Sequence, residues 1–274
     1  MHAMPTPLRL APRSRSVKSL RIMAHFCQAT FLAKVRFPGL TKEQTLQAIQ
    51  RWAKQVLGSL EIDVQTNRRP LENFSGLVVS NHLSWLDILV LQSLIPGIFV
   101  AKKEVRSWAV LGYLAQACAT IFVDRSSPRS ARLMVDRTTD AIQQGYAVVV
   151  FPEGTSSDGS DLGNFHANIF ESAIRAGSAV QLLTLEYIDT ATGNAAGDAH
   201  YIGEMTFVSS LWRILRHSSI AARVHVGECI AADGHSRKTL ALHAHGKIRA
   251  HLTTQIQESQ SPATADPQRP STAS

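Results

Sequence analysis

Two side chains five residues apart, His82 and Asp87, stand in the segment Asn81-His82-Leu83-Ser84-Trp85-Leu86-Asp87, directly after the apolar run Gly76–Ser80. A carboxylate that accepts a hydrogen bond from one imidazole nitrogen fixes the tautomer and leaves the other nitrogen free as a base. Residues five apart on one regular helix sit roughly 140° apart around its axis and could not meet. The pair therefore requires His82 in the turn before a helix and Asp87 in its first turn. No serine completes a Ser-His-Asp triad, so the attacking hydroxyl would have to come from a substrate. The same residues also read as structure: Ser84 followed by Asp87 three residues later has the spacing of a helix cap, with His82 a satisfied turn residue.

A second polar turn follows a second apolar run. Ala147–Phe151 leads into Pro152-Glu153-Gly154-Thr155-Ser156-Ser157-Asp158-Gly159. Glycines let backbone N–H groups approach a ligand, and Ser or Thr hydroxyls add donors, so the turn can hold a polar head group. Glu153 could orient a substrate hydroxyl or amine; an ordinary strand-to-loop turn is the alternative. Gly154 and Gly159 have the gap of a phosphate-binding P-loop, but Ser160 stands where its lysine should be. Arg125, after Ile121–Val123, could clamp a phosphate or pair with Asp124 or Glu104. Two other chemistries lack their residues. A serine hydrolase elbow would need Gly159-Ser160-Asp161-Leu162-Gly163 to carry its serine one place later. His243 and His245, two apart on an expected helix, face different ways, so no metal site is read.

The elements that must position these residues are legible as short apolar runs alternating with helical periods. Strands are expected at Glu61–Thr66, Gly76–Ser80, Gly97–Ala101, Thr120–Val123, Ala147–Phe151, Val180–Tyr187 and Ala222–Val226. Helices are expected at Trp85–Ser93, Ser107–Ala117, Pro128–Gln144, Ala167–Ala176 and Lys238–Gln257. The alternation predicts an α/β fold with a mostly parallel central sheet flanked by helices, spanning residues 59–257. Residues 1–58 read as a basic arm and an amphipathic helical pair. The first helix runs Val17–Val35 and stops at Pro38-Gly39; the second starts at a capping box, Thr41 with Gln44, and runs to Gly58. Residues 258–274, with Pro262, Pro267 and Pro270 among Ser, Thr and Ala, predict a disordered tail.

Composition limits what such a body can meet. The chain has 274 residues, 45% hydrophobic and 18% charged, which suits a folded globular protein, and a net charge of +7. Ten basic residues against the single acid Glu43 fall within residues 1–58, leaving the rest near neutral. A basic leader on a neutral body suits an anionic membrane surface, with a solvated positive arm as the alternative. Cys27, Cys118 and Cys229 are far apart, which favours reduced thiols over a disulfide frame. No apolar stretch reaches the roughly 18 residues of a spanning helix. The expectation is a peripheral or monotopic protein on the cytoplasmic face of the cell membrane. Nucleic acid would explain the charge and leave the ordered motifs unexplained.

In their order these motifs resemble the lysophospholipid acyltransferase family, which includes the 1-acylglycerol-3-phosphate acyltransferases. The resemblance runs over roughly residues 60–230. It rests on the His82-to-Asp87 block, the block from Gly112 to Phe122-Val123-Asp124-Arg125, and Phe151-Pro152-Glu153-Gly154-Thr155. It implies transfer of an acyl chain from acyl-coenzyme A or acyl carrier protein to the hydroxyl of a lysolipid, with no bound cofactor or metal. His82 would be the base and Asp87 its partner; Arg125, Glu153, Gly154 and Thr155 would bind the acceptor. Family frequency puts 1-acylglycerol-3-phosphate first as acceptor. Ser156, where the family usually has Arg, keeps another lysolipid, such as lyso-ornithine lipid, beside it. The later block that usually centres on proline has none at Ala179-Val180-Gln181-Leu182.

Overall fold

A computed structural model describes residues 14–68, 73–107, 109–117, 119–124 and 127–260. Arg125, Cys118, most of the basic arm before Ser14 and the tail beyond Gln260 lie outside the described residues. The described residues form a seven-stranded sheet in the order β1-β7-β6-β2-β5-β3-β4. Its strands are β1 (Asp63–Thr66), β2 (Gly76–Ser80), β3 (Ile98–Lys102), β4 (Ile121–Val123), β5 (Ala147–Val150), β6 (Ala179–Asp189) and β7 (Ile220–Ala231). Every neighbouring pair is parallel except β6 with β7. The expected mostly parallel α/β sheet is the one observed.

The central strands are buried on both faces. In β2 and β5 every residue is buried, which is why they read as continuous Val-rich runs and not as alternations. One face packs against α1 (Arg15–Val35), α2 (Lys42–Leu60) and α3 (Leu86–Leu94). The other carries α5 (Pro128–Gln143), α6 (Glu171–Ala176) and α8 (Arg237–Gln260). α4 (Ala109–Ala117) joins β3 to β4. Helix α8 continues past the expected boundary at Glu258.

The helical pair forms as expected, with two differences. Thr41 and Gln44 make the capping box: Gln44 N donates to Thr41 Oγ1 at 3.2 Å and Thr41 N to Gln44 Oε1 at 3.0 Å. α2 then passes Gly58, because Ser59 and Leu60 are buried, and ends at Glu61, which adopts the left-handed conformation (φ 59°). The Glu61 carboxylate meets Lys18 Nζ at 2.7 Å, and that nearly fully buried lysine also donates to His217 O at 2.9 Å, pinning α1 to the body. The second difference is α1 itself. It buries Lys18, Ile22, Ala29 and Ala33 while leaving Leu20, Met23, Phe31 and Val35 more than half exposed. Its apolar residues therefore serve two faces, not the single stripe an amphipathic helix would show.

Three further departures bear on the site. A helix absent from the expected elements, α7 (Phe207–Arg216), although Phe207, Leu211, Ile214 and Leu215 recur at helical spacing, is capped by Thr206, whose Oγ1 accepts from Ser209 N at 3.2 Å. The expected helix 167–176 begins as a 3-10 turn, Ala167–Phe170, before α6. β6 and β7 both outrun their expected spans because they pair antiparallel over their length. A bulge at Gln181 is filled by its own amide, which donates to Gly227 O and Glu228 O. No helix among the described residues is long and apolar enough to cross a membrane.

Candidate active site

His82 and Asp87 meet at the carboxyl end of the central strands, where open α/β sheets build their sites. β2 ends at Ser80, and the Asn81 side chain carries the pairing one step further. Its Nδ2 donates to Leu185 O and its Oδ1 accepts from Leu185 N, both at 2.8 Å. That double contact fixes the strand end, and His82 follows in the turn with Asp87 in the first turn of α3.

Asp87 is fully buried and accepts four hydrogen bonds. Oδ2 takes His82 Nδ1 at 2.7 Å, Leu83 N at 2.6 Å and Ser84 N at 2.9 Å; Oδ1 takes the Tyr187 hydroxyl at 2.7 Å. The two readings of Asp87 are thus not exclusive, since one carboxylate both satisfies turn amides and holds the imidazole. Burial pushes the Tyr187 phenol well above its ordinary range, with the Asp87 charge and hydrogen bond adding to it, so it stays a donor. The His82 ring lies flat on Phe151, centroids 4.1 Å apart and 11° from parallel. Nδ1 is engaged from the buried side, which turns the Nε2 edge toward the accessible side of a side chain that is 20% exposed. Nε2 has no partner among the described residues.

Glu153 is placed differently from the acceptor-binding role expected of it. Oε1 accepts from His82 N and Oε2 from Gly163 N, both at 2.8 Å, and the residue is buried. Burial raises its carboxyl above the usual range, while the two amides and His82 act the other way. Glu153 thus joins the turn after β5 to the turn after β2, holding the backbone of His82. A Cβ on Gly163 would lie 3.0 Å from Oε2 and press on the carboxylate. Gly154 is also buried, with φ 77°, a conformation that favours glycine, and its N–H closes the turn on Phe151 O at 3.0 Å. Thr155 is exposed at the same edge. Ser156 Oγ donates to Tyr201 O and Ser157 N to His82 O at 2.9 Å.

Ser160 Oγ donates to Asp158 and not to the imidazole, so it is no nucleophile in this arrangement. His243 and His245 turn to different partners, Glu228 and Leu162 O. Three contributors were not among the expected site residues, and only α7 had a signal of its own, apolar residues at helical spacing behind Thr206. Tyr187 is one aromatic within an apolar strand, whose buried hydroxyl implies only that some partner exists. The segment around Tyr201 crosses the catalytic turn, Tyr201 N donating to Leu83 O at 2.8 Å. α7 braces the motif: Trp85 Nε1 donates to Ser210 Oγ at 3.0 Å, and Phe207 meets the Trp85 ring edge-on at 4.8 Å.

The imidazole of His82, held by a buried carboxylate, lies at the mouth of the parallel sheet with no hydroxyl or thiol bonded to it among the described residues. A family profile described as Acyltransferase matches residues 46–186, and the chain belongs to that family. It is 32% identical over 250 residues to the lyso-ornithine lipid O-acyltransferase of Pseudomonas aeruginosa, covering 89% of this chain and 94% of the relative. It is 34% identical over 201 residues to the 1-acyl-sn-glycerol-3-phosphate acyltransferase of Neisseria meningitidis serogroup B, covering 73% and 78%. The fold matches the crystal structure of the 1-acyl-sn-glycerophosphate (LPA) acyltransferase PlsC from Thermotoga maritima with a TM-score of 0.61. That match has 18% identity and covers 89% of this chain and 98% of that one.

Proposed function

We propose that this acyltransferase moves an acyl chain from a thioester, of coenzyme A or acyl carrier protein, onto the free hydroxyl of a lysolipid. His82 is the general base and Asp87 its orienting partner. His82 Nε2 takes the proton as the hydroxyl oxygen attacks the thioester carbonyl. The tetrahedral oxyanion then collapses, the C–S bond breaks, and the imidazolium returns the proton to the leaving thiolate. The thioester is already activated, so positioning and proton transfer suffice without a covalent acyl-enzyme. The observation that carries this reading is the 2.7 Å contact from His82 Nδ1 to a carboxylate already satisfied by two amides and Tyr187. Glu153 acts through the His82 backbone as a positioning residue, and Gly154 and Thr155 shape the acceptor edge.

For the acceptor, lyso-ornithine lipid is favoured over 1-acylglycerol-3-phosphate, which reverses the order that family frequency suggested. The relative of that name aligns along nearly its whole length, and Ser156 offers no cation for a phosphate while its hydroxyl is bound to Tyr201 O. The phosphate acceptor remains the second reading, supported by the Neisseria relative.

The reaction takes place at a membrane surface. An apolar groove of about 1010 Å³ runs between α1 and α7, lined by Met23, Phe26, Phe31, Phe207, Leu211 and Trp212 among others. Exposed Leu20, Val35 and Val208 extend it as an outward apolar patch, larger than scattered surface residues require. Phe207, in the groove, touches Trp85 beside the catalytic turn, so the lipid-facing surface and the base share one wall.

The test is an acceptor screen with labelled acyl-coenzyme A and acyl-acyl carrier protein against several lysolipids, run on the wild type and His82→Ala. Transfer to a lysolipid by the wild type, and its loss in a variant that melts normally, is expected. Retained turnover in His82→Ala would overturn the base assignment.

A further inference from the structure

The turn after β5 has an electrostatic character opposite to that of a phosphate site. Residues 152–163 contain Glu153, Asp158 and Asp161 and no lysine or arginine. Glu153 is spent on two backbone amides, and Asp161 faces Arg249 at 3.4 Å. Asp158 is exposed; Ser160 N and Oγ occupy its Oδ1, at 2.9 and 2.6 Å, and Oδ2 stays open among the described residues.

Against this turn lies a second group. His200 is 8% exposed, no hydrogen bond engages its ring nitrogens among the described residues, and neither nitrogen is fully buried, so both can meet water or a ligand. Its Cε1 lies 3.7 Å from the position a Cβ on Gly159 would take, directly beside Asp158, and its ring is 6.4 Å from that of Tyr187. The strap that carries His200 is fastened across the catalytic turn by Tyr201 N to Leu83 O at 2.8 Å and by Ser156 Oγ to Tyr201 O. Ser156 thus ties down the strap at the position where the family's arginine would meet a phosphate. Burial lowers the His200 pKa, with Arg213 adding to this and Asp87 and Asp158 opposing it, so the ring is a neutral acceptor near pH 7.

We propose that Asp158 and His200 form a recognition site for a primary ammonium group in the head group of the acceptor lipid. Asp158 Oδ2 supplies the counter-charge and an imidazole nitrogen of His200 accepts one ammonium N–H. An ammonium has three donors and no acceptor, which suits a carboxylate and a neutral imidazole together. A phosphate in the same place would meet a carboxylate and no cation from this turn. The inference rests on the acyl-transfer reading and narrows it to amine-bearing acceptors, of which lyso-ornithine lipid, with its side-chain ammonium, is one.

The test uses the full chain with a labelled acyl thioester and two matched acceptors: lyso-ornithine lipid, and the same lipid with its side-chain amine acetylated. The wild type is expected to prefer the free ammonium at least about tenfold in kcat/KM, roughly one charge-assisted hydrogen bond's worth of discrimination. Asp158→Asn should bring the two acceptors within about twofold of each other, Asp158→Glu should restore part of the preference, and His200→Phe should reduce it. Melting temperatures accompany every variant, and the within-variant acceptor ratio is unaffected by the fraction folded. Equal use of both acceptors by the wild type, or an unchanged ratio in Asp158→Asn, overturns the ammonium site while leaving acyl transfer standing. No transfer to any lysolipid overturns both.

Discussion

Replacing Asp87 by Asn separates the charge of this residue from its shape. Leu83 N and Ser84 N both donate to Oδ2, so an asparagine must place its carbonyl oxygen there. Its NH2 then faces Tyr187, whose hydroxyl can rotate to accept. His82 Nδ1 still meets an oxygen, and the tautomer is preserved. Only the negative charge beside the imidazolium of the transition state is lost. Exchanging a charged for a neutral hydrogen bond removes about 1–2 kcal/mol. Two unit charges about 4 Å apart at an effective dielectric of roughly 20 set an upper figure near 4 kcal/mol. The expected fall in kcat therefore lies between roughly 5- and 1000-fold. Asp87→Ala is a different experiment. It strands two amides and a phenol at about 1–3 kcal/mol each, comparable with the whole stability of a domain. Initial rates of label transfer and thermal melting on both variants check this. Asn at wild-type rate would reduce Asp87 to a helix cap; Asn melting as low as Ala would refute the account of which oxygen the amides hold.

Glu153→Gln should behave in the opposite way, because a glutamine offers one carbonyl where His82 N and Gly163 N each need an acceptor. One unmet buried donor is expected to lower stability by about 1–3 kcal/mol, read as a lower melting temperature, with activity reduced through the displaced His82 backbone. Burial raises the Glu153 carboxyl, so the folded state keeps its proton to higher pH than the unfolded chain does. Stability from this group is therefore greatest below the ordinary carboxylate range and falls as pH rises through the raised value, narrowing the gap between wild type and Glu153→Gln. Tyr187→Phe removes the donor to Asp87 Oδ1 and should lower kcat with little change in KM. Initial rates of label transfer check this, and an unchanged kcat would leave Tyr187 a packing residue. Val208→Asp with Trp212→Asp alters only exposed positions of α7. Sedimentation with anionic vesicles should fall severalfold at unchanged melting temperature, and undiminished binding would exclude α7 from the membrane face.

The sequence by itself determined the strand-and-helix alternation, the strand end at Ser80, the capping box at Thr41 and the order of the catalytic blocks. Each of these is local: a run of buried β-branched residues, a side chain that closes its own turn, or a spacing within seven residues. The meeting of His82 with Asp87 was a local possibility, because a turn running into a helix lets residues five apart touch, with a helix cap as the alternative that the sequence left open. Tertiary structure alone decided what surrounds that pair. Tyr187 arrives from a strand 100 residues on, Glu153 from the turn after the neighbouring strand, Ser210 from α7 and Tyr201 from a segment with no element-forming period. Helix α7 carries a helical repeat in Phe207, Leu211, Ile214 and Leu215, but the packing of Phe207 and Ser210 on Trp85 is a contact that this repeat does not encode. α1 was expected as an amphipathic helix over Val17–Val35, and only the fold shows that its apolar residues face both the core and the outside. The partners of Glu153 were likewise decided by packing: its place after a strand suggested a ligand for substrate, and the fold directs both oxygens to backbone amides, one of which, His82 N, is within reach because β2 and β5 pair. Hydrogen-bond partners distant along the chain leave no pattern in it, and it is such partners that make a histidine and an aspartate into a site.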